Sequence, residues 1–270
     1  FKMNENINIE MQRNFDLALK NYEKKNFKTA HDLYQKIIKI YPNHAESHYN
    51  LGLVFHSIRE LEKAKKCYQK AINLKPNYLD AYNNIGLILK ELDDLKNSKS
   101  AFLKALKLDP NCLEAIFNLG LVYRELGAFE DSVNCYKKVI KIKPNFVVAH
   151  NSLGNVYKKK GEYNKAIEHF KTALKLSPNS IDAQVNISNI YISQLDNFEN
   201  AIEASYKALN MHHENAEFYY KTIPLYRLKH DVEQAKYLSS KNIKQDGINK
   251  FIKLGSEILS RKENKYIKSG

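Results

Sequence analysis

A period of 34 residues constrains this chain more than any other feature. Five of its six prolines stand at Pro42, Pro76, Pro110, Pro144 and Pro178, and each is followed by Asn: Asn43, Asn77, Asn111, Asn145 and Asn179. Gly52, Gly86, Gly120 and Gly154 keep the same period, extended by Ala18 before and Ser188 after. Each of these is preceded by an apolar residue: Leu17, Leu51, Ile85, Leu119, Leu153 and Ile187. A third column is small, Ala30, Ala64, Ser98, Ser132 and Ala166, and a fourth aromatic, Tyr34, Tyr68, Phe102, Tyr136 and Phe170. Self-similarity at such a period means a stack of identical supersecondary units.

Within each unit apolar residues recur at helical spacing in two stretches, which predicts a pair of amphipathic helices. Leu51, Phe55 and Ile58 read as one face of a first helix, and Ala64, Cys67, Tyr68, Ala71 and Ile72 as one face of a second. Glycine inside a helix costs about 1 kcal/mol against alanine, so its recurrence implies a packing need. The expectation is that Gly or Ala faces Ala or Ser of the partner helix and lets the backbones approach. Tyr or Phe then fills the wedge between units. Pro-Asn ends the second helix and opens the first turn of the next.

These columns resemble the tetratricopeptide repeat: 34 residues, helix–turn–helix, with small, aromatic and Pro positions. The resemblance covers Met11 to about Asn215 as six units. It implies an all-α, right-handed α-α superhelix with the first helices on the concave side. The central repeats, such as Pro76 to Gly86, are similar to the superhelical repeats of O-linked N-acetylglucosamine transferases. Departures lie toward the C-terminus. One residue is inserted near Leu195-Asp196, and His213 stands where Pro is expected. A degenerate seventh unit follows, Ala216 to Gly247, with Tyr219, Tyr226 and Ala235 in register and Pro224 inside its first helix. Phe251, Ile252, Leu254, Ile258 and Leu259 suit a capping helix over residues 248–264. The domain expectation is therefore a tail at 1–10, a solenoid at 11–247, the cap, and a tail at 265–270. Phe1-Lys2 before Met3 looks like a remnant, and the charged end at Lys262 to Gly270 suggests an early stop.

Candidate ligand-binding positions follow from the same period. Asn50, Asn84, Asn118, Ser152 and Asn186 form a ladder at the edge of the predicted groove. An amide offers both donor and acceptor, as a peptide backbone does. The resemblance to the transferases implies that such a ladder holds peptide backbone. Tyr49 and Phe117, one residue earlier, and Leu53, Leu87 and Leu121, three later, are candidate apolar anchors. His56, Lys90, Arg124 and Lys158 make a basic column, and Glu46, Asp80, Glu114 and Asp182 an acidic one near the helix starts. Those charges also complement the helix dipole. The chaperone-tail clamp of this family needs Lys and Arg at the columns held here by Asp80 and Asn84, so that partner is disfavoured.

The net charge of +13 calls for a polyanion or another explanation. Thirty-eight of the 43 basic residues are Lys and five are Arg, whereas phosphate recognition favours the bidentate Arg fork. Lysines such as Lys63, Lys65, Lys66 and Lys70 fall on outward faces, and much of the remaining excess sits in residues 221–270. Nucleic acid is therefore the less favoured partner. Three cysteines, Cys67, Cys112 and Cys135, make no disulfide framework, and the N-terminus has no signal-peptide character, which points to the cytoplasm. No apolar run is long enough for a membrane.

No phosphate loop, nucleophile elbow or His-Glu-x-x-His motif occurs. His44 and His48 are four apart, as helix-borne metal ligands can be, but His48 shares an interface column with His150 and Tyr82. His212-His213-Glu214 reads as a turn. The expectation is a non-enzymatic scaffold, without cofactor or metal, that holds an extended peptide or protein segment. The alternative is the substrate-recruiting part of a larger glycosyltransferase or oxygenase. The sequence leaves the oligomeric state open.

Overall fold

The computed structural model describes residues 2–193, and these form eleven helices with no strand among them. The expected all-α repeat is what the described residues adopt. The chain divides into two compact units, Phe1–Pro144 and Asn145–Gly270. In the first, α1 (Lys2–Glu23), α2 (Phe27–Ile40), α3 (Ala45–Ser57), α4 (Leu61–Leu74), α5 (Leu79–Glu91), α6 (Leu95–Leu108), α7 (Leu113–Glu125) and α8 (Phe129–Ile142) make four hairpins, each packed on the next. In the second, α9 (Val147–Lys159) and α10 (Tyr163–Leu176) pair, and α11 (Ile181–Ser193) packs on α10. The expected seventh unit, capping helix and C-terminal tail, Pro224, and the insertion at Leu195-Asp196 lie outside the described residues. Residues 2–10, expected to be a tail, are part of α1. No helix of the described residues is long and apolar enough to cross a membrane.

Both predicted columns of the second helices are buried. Ala30, Ala64 and Ala166 and Tyr34, Tyr68, Phe102, Tyr136 and Phe170 have no exposed surface. The glycines turn out to serve the aromatic column. A Cβ at Gly86 would stand 2.8 Å from the Phe102 ring, and at Gly154 2.7 Å from Phe170. The small column then reaches the bared backbone: Ser98 Oγ donates to Gly86 O at 2.7 Å and Ser132 Oγ to Gly120 O at 2.8 Å. So the ring, rather than a backbone-to-backbone contact alone, sets the need for glycine.

Two details differ from expectation. Leu17 is 47% exposed whereas Leu51, its equivalent one repeat on, is 6% exposed, because α1 has no helix packed on that side among the described residues. Ile58 is also exposed; it caps α3 instead of facing the core. Pro42, Pro76, Pro110 and Pro178 sit in the turns that join repeats, ahead of the next N-cap, instead of in the first helical turn.

Inside each hairpin the turn has its own 34-residue column. Lys25, Arg59, Asp93, Gly127 and Gly161 all have φ between 60° and 78°. At Arg59, its N–H bonds His56 O at 3.0 Å and the next N–H, of Glu60, bonds Phe55 O at 2.9 Å. The same pair of bonds recurs at Asp93, Gly127 and Gly161. This left-handed Schellman closure satisfies the last carbonyls of the first helix. Only two of the five positions are glycine, so the column could be missed in the sequence.

Candidate functional site

The candidate site is the face of α3, α5 and α7 that turns away from the second helices. On α5, Tyr82, Ile85 and Leu89 point between α4 and α6. With 3.6 residues per turn, Asp80, Asn84, Leu87 and Glu91 then fall on the opposite side. Asn50, Asn84 and Asn118 are all half-buried, so the ladder forms part of a wall instead of projecting freely.

Its members differ in what they already hold. Asn50 Nδ2 donates to Glu46 O, one turn back, at 2.8 Å. Asn84 Nδ2 donates to Tyr49 Oη at 2.9 Å, which ties α5 to α3. The side chain of Asn118, inside α7, forms no hydrogen bond with the described residues. Tyr49 is an interface residue as much as an anchor: its ring lies 4.8 Å from Tyr78 and 5.7 Å from Tyr68. Burial, with a smaller effect of Asp80, pushes its hydroxyl to about 12, so it stays protonated. Phe117 packs in the same way on Tyr136, 5.5 Å between ring centres.

The basic column is neutralised along its own edge. His56 Nε2 lies 3.0 Å from Glu91 Oε1, and Arg59 Nη1 lies 2.6 Å from Glu91 Oε2. Burial disfavours the Glu91 carboxylate, but the His56 hydrogen bond and the two charges outweigh it and hold its pKa below the usual value. Lys90 stands 4.0 Å and Arg124 3.8 Å from Glu125. Glu91 and Glu125 were not among the sequence candidates. The signal was an offset of 35 residues, from His56 to Glu91 and from Lys90 to Glu125, one more than the period, which brings the tail of one first helix beside the next. Of the expected acidic column, Glu46 is taken by Lys75 at 3.0 Å.

In the second unit the ladder is differently used. Ser152 is 7% exposed, which leaves its hydroxyl little open surface. Lys158 Nζ donates to Asn186 Oδ1 at 2.5 Å, so a basic-column residue and a ladder residue hold each other. Burial, then Lys159, lowers the Lys158 pKa.

The histidines have local partners. His44 Nδ1 accepts from Ser47 N–H at 3.2 Å and caps α3, and His48 Nε2 donates to Pro42 O at 2.9 Å. His150 is buried with its Nδ1 3.3 Å from that of His169. Cys67 and Cys135 thiols are pushed up to about 11 by burial, which makes them poor nucleophiles.

Comparison with known proteins agrees with the repeat. Models described as tetratricopeptide repeat match residues 45–78, 79–112, 147–180 and 181–211, and one described as TPR repeat matches 120–161. Among solved structures, MamA is similar at 30% identity over 60% of this chain and 94% of its own, with a TM-score of 0.58. YrrB, described as a TPR protein with an unusual peptide-binding site, is similar at 23% identity over 68% and 95%, TM-score 0.58. PilW, a type IV pilus biogenesis factor, is similar at 20% identity over 77% and 96%, TM-score 0.67. No curated protein matches the chain. Taken with the hairpins, the glycine–ring contacts and the 34-residue columns, these matches show that the chain belongs to the tetratricopeptide-repeat family.

Proposed function

We propose that this protein is a non-catalytic scaffold that holds an extended peptide or protein segment along the face of α3, α5 and α7. The observation that carries this reading is the ladder itself: Asn50, Asn84 and Asn118 stand in one row, half-buried, and the Asn118 amide is uncommitted among the described residues. Neighbouring helices are about 8–10 Å apart and an extended chain rises about 3.3 Å per residue, so a ladder residue meets roughly every third residue of a peptide. Each backbone hydrogen bond nets about 0.5–1.5 kcal/mol, which favours sequence-tolerant binding. Leu53, Leu87, Leu121 and the rim of Phe117 add apolar surface. The resemblance of the ladder to that of the O-linked N-acetylglucosamine transferases supports the same reading, as does a peptide site described on the similar fold of YrrB.

The test is selection of unstructured peptides from a random library on the intact protein, followed by affinity measurement with Asn118→Ala. The reading expects weaker binding, by about two- to tenfold for one lost hydrogen bond, with unchanged unfolding. Undiminished affinity for every selected peptide would remove the ladder from the mechanism.

A further inference from the structure

The face away from the ladder carries a second binding feature. Between α4 and α6, with α5 as its floor, lies a cleft of about 410 Å³, within the range of roughly 300–1,000 Å³ typical of ligand pockets. Tyr82, Ile85 and Leu89 form the apolar floor, and Lys65, Lys66 and Lys104 stand around it. Lys104 Nζ is 5.8 Å from the centre of the Tyr82 ring. Lys65 pairs with Glu62 at 2.9 Å, while Lys66 and Lys104 have no ion-pair partner among the described residues. One carboxylate, Asp94, enters the lining, and both its oxygens are taken by Asn97 at the start of α6. Together α4 and α6 carry eight lysines and one glutamate.

The polar lining is mostly committed as well. Gln69 Nε2 bonds Asn73 and Asn97 Nδ2 bonds Asp94. A bare peptide backbone would find few partners here. A helix brings its own backbone bonds already made, and needs only an apolar floor and charged flanks.

We propose that this cleft docks an acidic amphipathic helix of a protein partner. Its apolar residues, at i, i+3 or i+4 and i+7, lie over Tyr82, Ile85 and Leu89. Its carboxylates meet Lys65, Lys66 and Lys104. Charge complementarity sets the occupant: the apolar floor offers nothing to phosphates, and a chain of net charge +13 repels a second copy of itself from a cationic cleft.

A display library of helical peptides selected on the full chain tests this. Affinities are then compared for the wild type, Lys66→Glu with Lys104→Glu, Ser100→Trp, which fills the cleft without changing charge, and Lys137→Glu with Lys141→Glu on α8 as a charge-matched control. Circular dichroism verifies the helix content of each. The expected result is enrichment of amphipathic peptides with surplus carboxylates, whose binding falls about tenfold or more in both cleft variants and stays within about twofold in the control. Three results would overturn the proposal. One is a library with no such sequences enriched. Another is a loss equal to that of the control. The last is binding of a short DNA duplex, or self-association, that depends on Lys66 and Lys104 while Ser100→Trp is silent.

Discussion

In the unit Phe1–Pro144 the two sets of helices carry opposite electrostatic characters. The first helices α3, α5 and α7 bear one lysine, one arginine and five carboxylates, and that pair, Lys90 and Arg124, lies beside Glu125. The second helices α2, α4, α6 and α8 bear fourteen lysines against four carboxylates. The positive charge of the chain is thus not spread evenly over a solvated surface. In this unit it is concentrated on one set of helices, and the helices with the asparagine ladder carry a small surplus of carboxylates. An amide-lined face suits a sequence-tolerant peptide, and a cationic face with an apolar cleft suits an acidic one.

The sharpest way to break this arrangement is to separate the two sets of helices. Gly86→Val places methyl groups against the Phe102 ring, where even a Cβ would stand at 2.8 Å. The expected loss is about 3 kcal/mol in urea unfolding, at the upper end for overpacking. Gly86→Val combined with Phe102→Leu should cost less than the sum of the two single losses, the coupling that a double-mutant cycle reads. A smaller effect tests the ladder's own commitments. Asn84→Ala removes the bond to Tyr49 that ties α5 to α3 and should cost about 1 kcal/mol, whereas Asn118→Ala should leave stability unchanged.

Charge neutralisation on the first helices gives a pH-dependent effect. Glu91 has its pKa lowered in the folded state, so its contribution is present above its unfolded value and is lost as pH falls through the folded one. Glu91→Gln should therefore destabilise by about 0.7 kcal/mol near neutral pH. The difference from wild type should begin to shrink as pH falls to the carboxylate's ordinary value of about 4.3 and vanish only below the lowered folded-state value. Smallest is the turn that joins the two sets of helices. Lys25 holds φ at 60°, a conformation that costs a side chain about 1–2 kcal/mol, offset by the extra unfolded-state freedom of glycine. Lys25→Gly should raise stability by about 0.5 kcal/mol, and loss of stability would mean that the Schellman turn tolerates its lysine without strain.

Much of the fold was legible because its determinants are single residues at fixed spacing. Gly86, Phe102 and Pro76 each announce a packing or turn requirement, and their columns define the hairpins. What escaped the sequence was relational. Glu91 and Glu125 became partners of the basic column only because consecutive first helices are offset by one residue more than the period. Asn84 and Asn118 are identical in the sequence, yet one is bonded to Tyr49 and the other is not, because position 83 holds Asn where position 49 holds Tyr. Arg59, Asp93 and Lys25 conceal a left-handed turn that Gly127 and Gly161 would have revealed. Leu17 carries the apolar signature of its column while exposed, since periodicity reports the repeat and not whether a neighbour covers it.

The most direct measurement of the central claim is affinity for a selected extended peptide in two variants that separate the faces, Asn118→Ala and Lys66→Glu with Lys104→Glu. The first variant should weaken extended-peptide binding several-fold at unchanged stability, and the second should leave it within about twofold. Loss of that peptide with the lysines, and none with Asn118, would place the extended segment on the other face and contradict that claim.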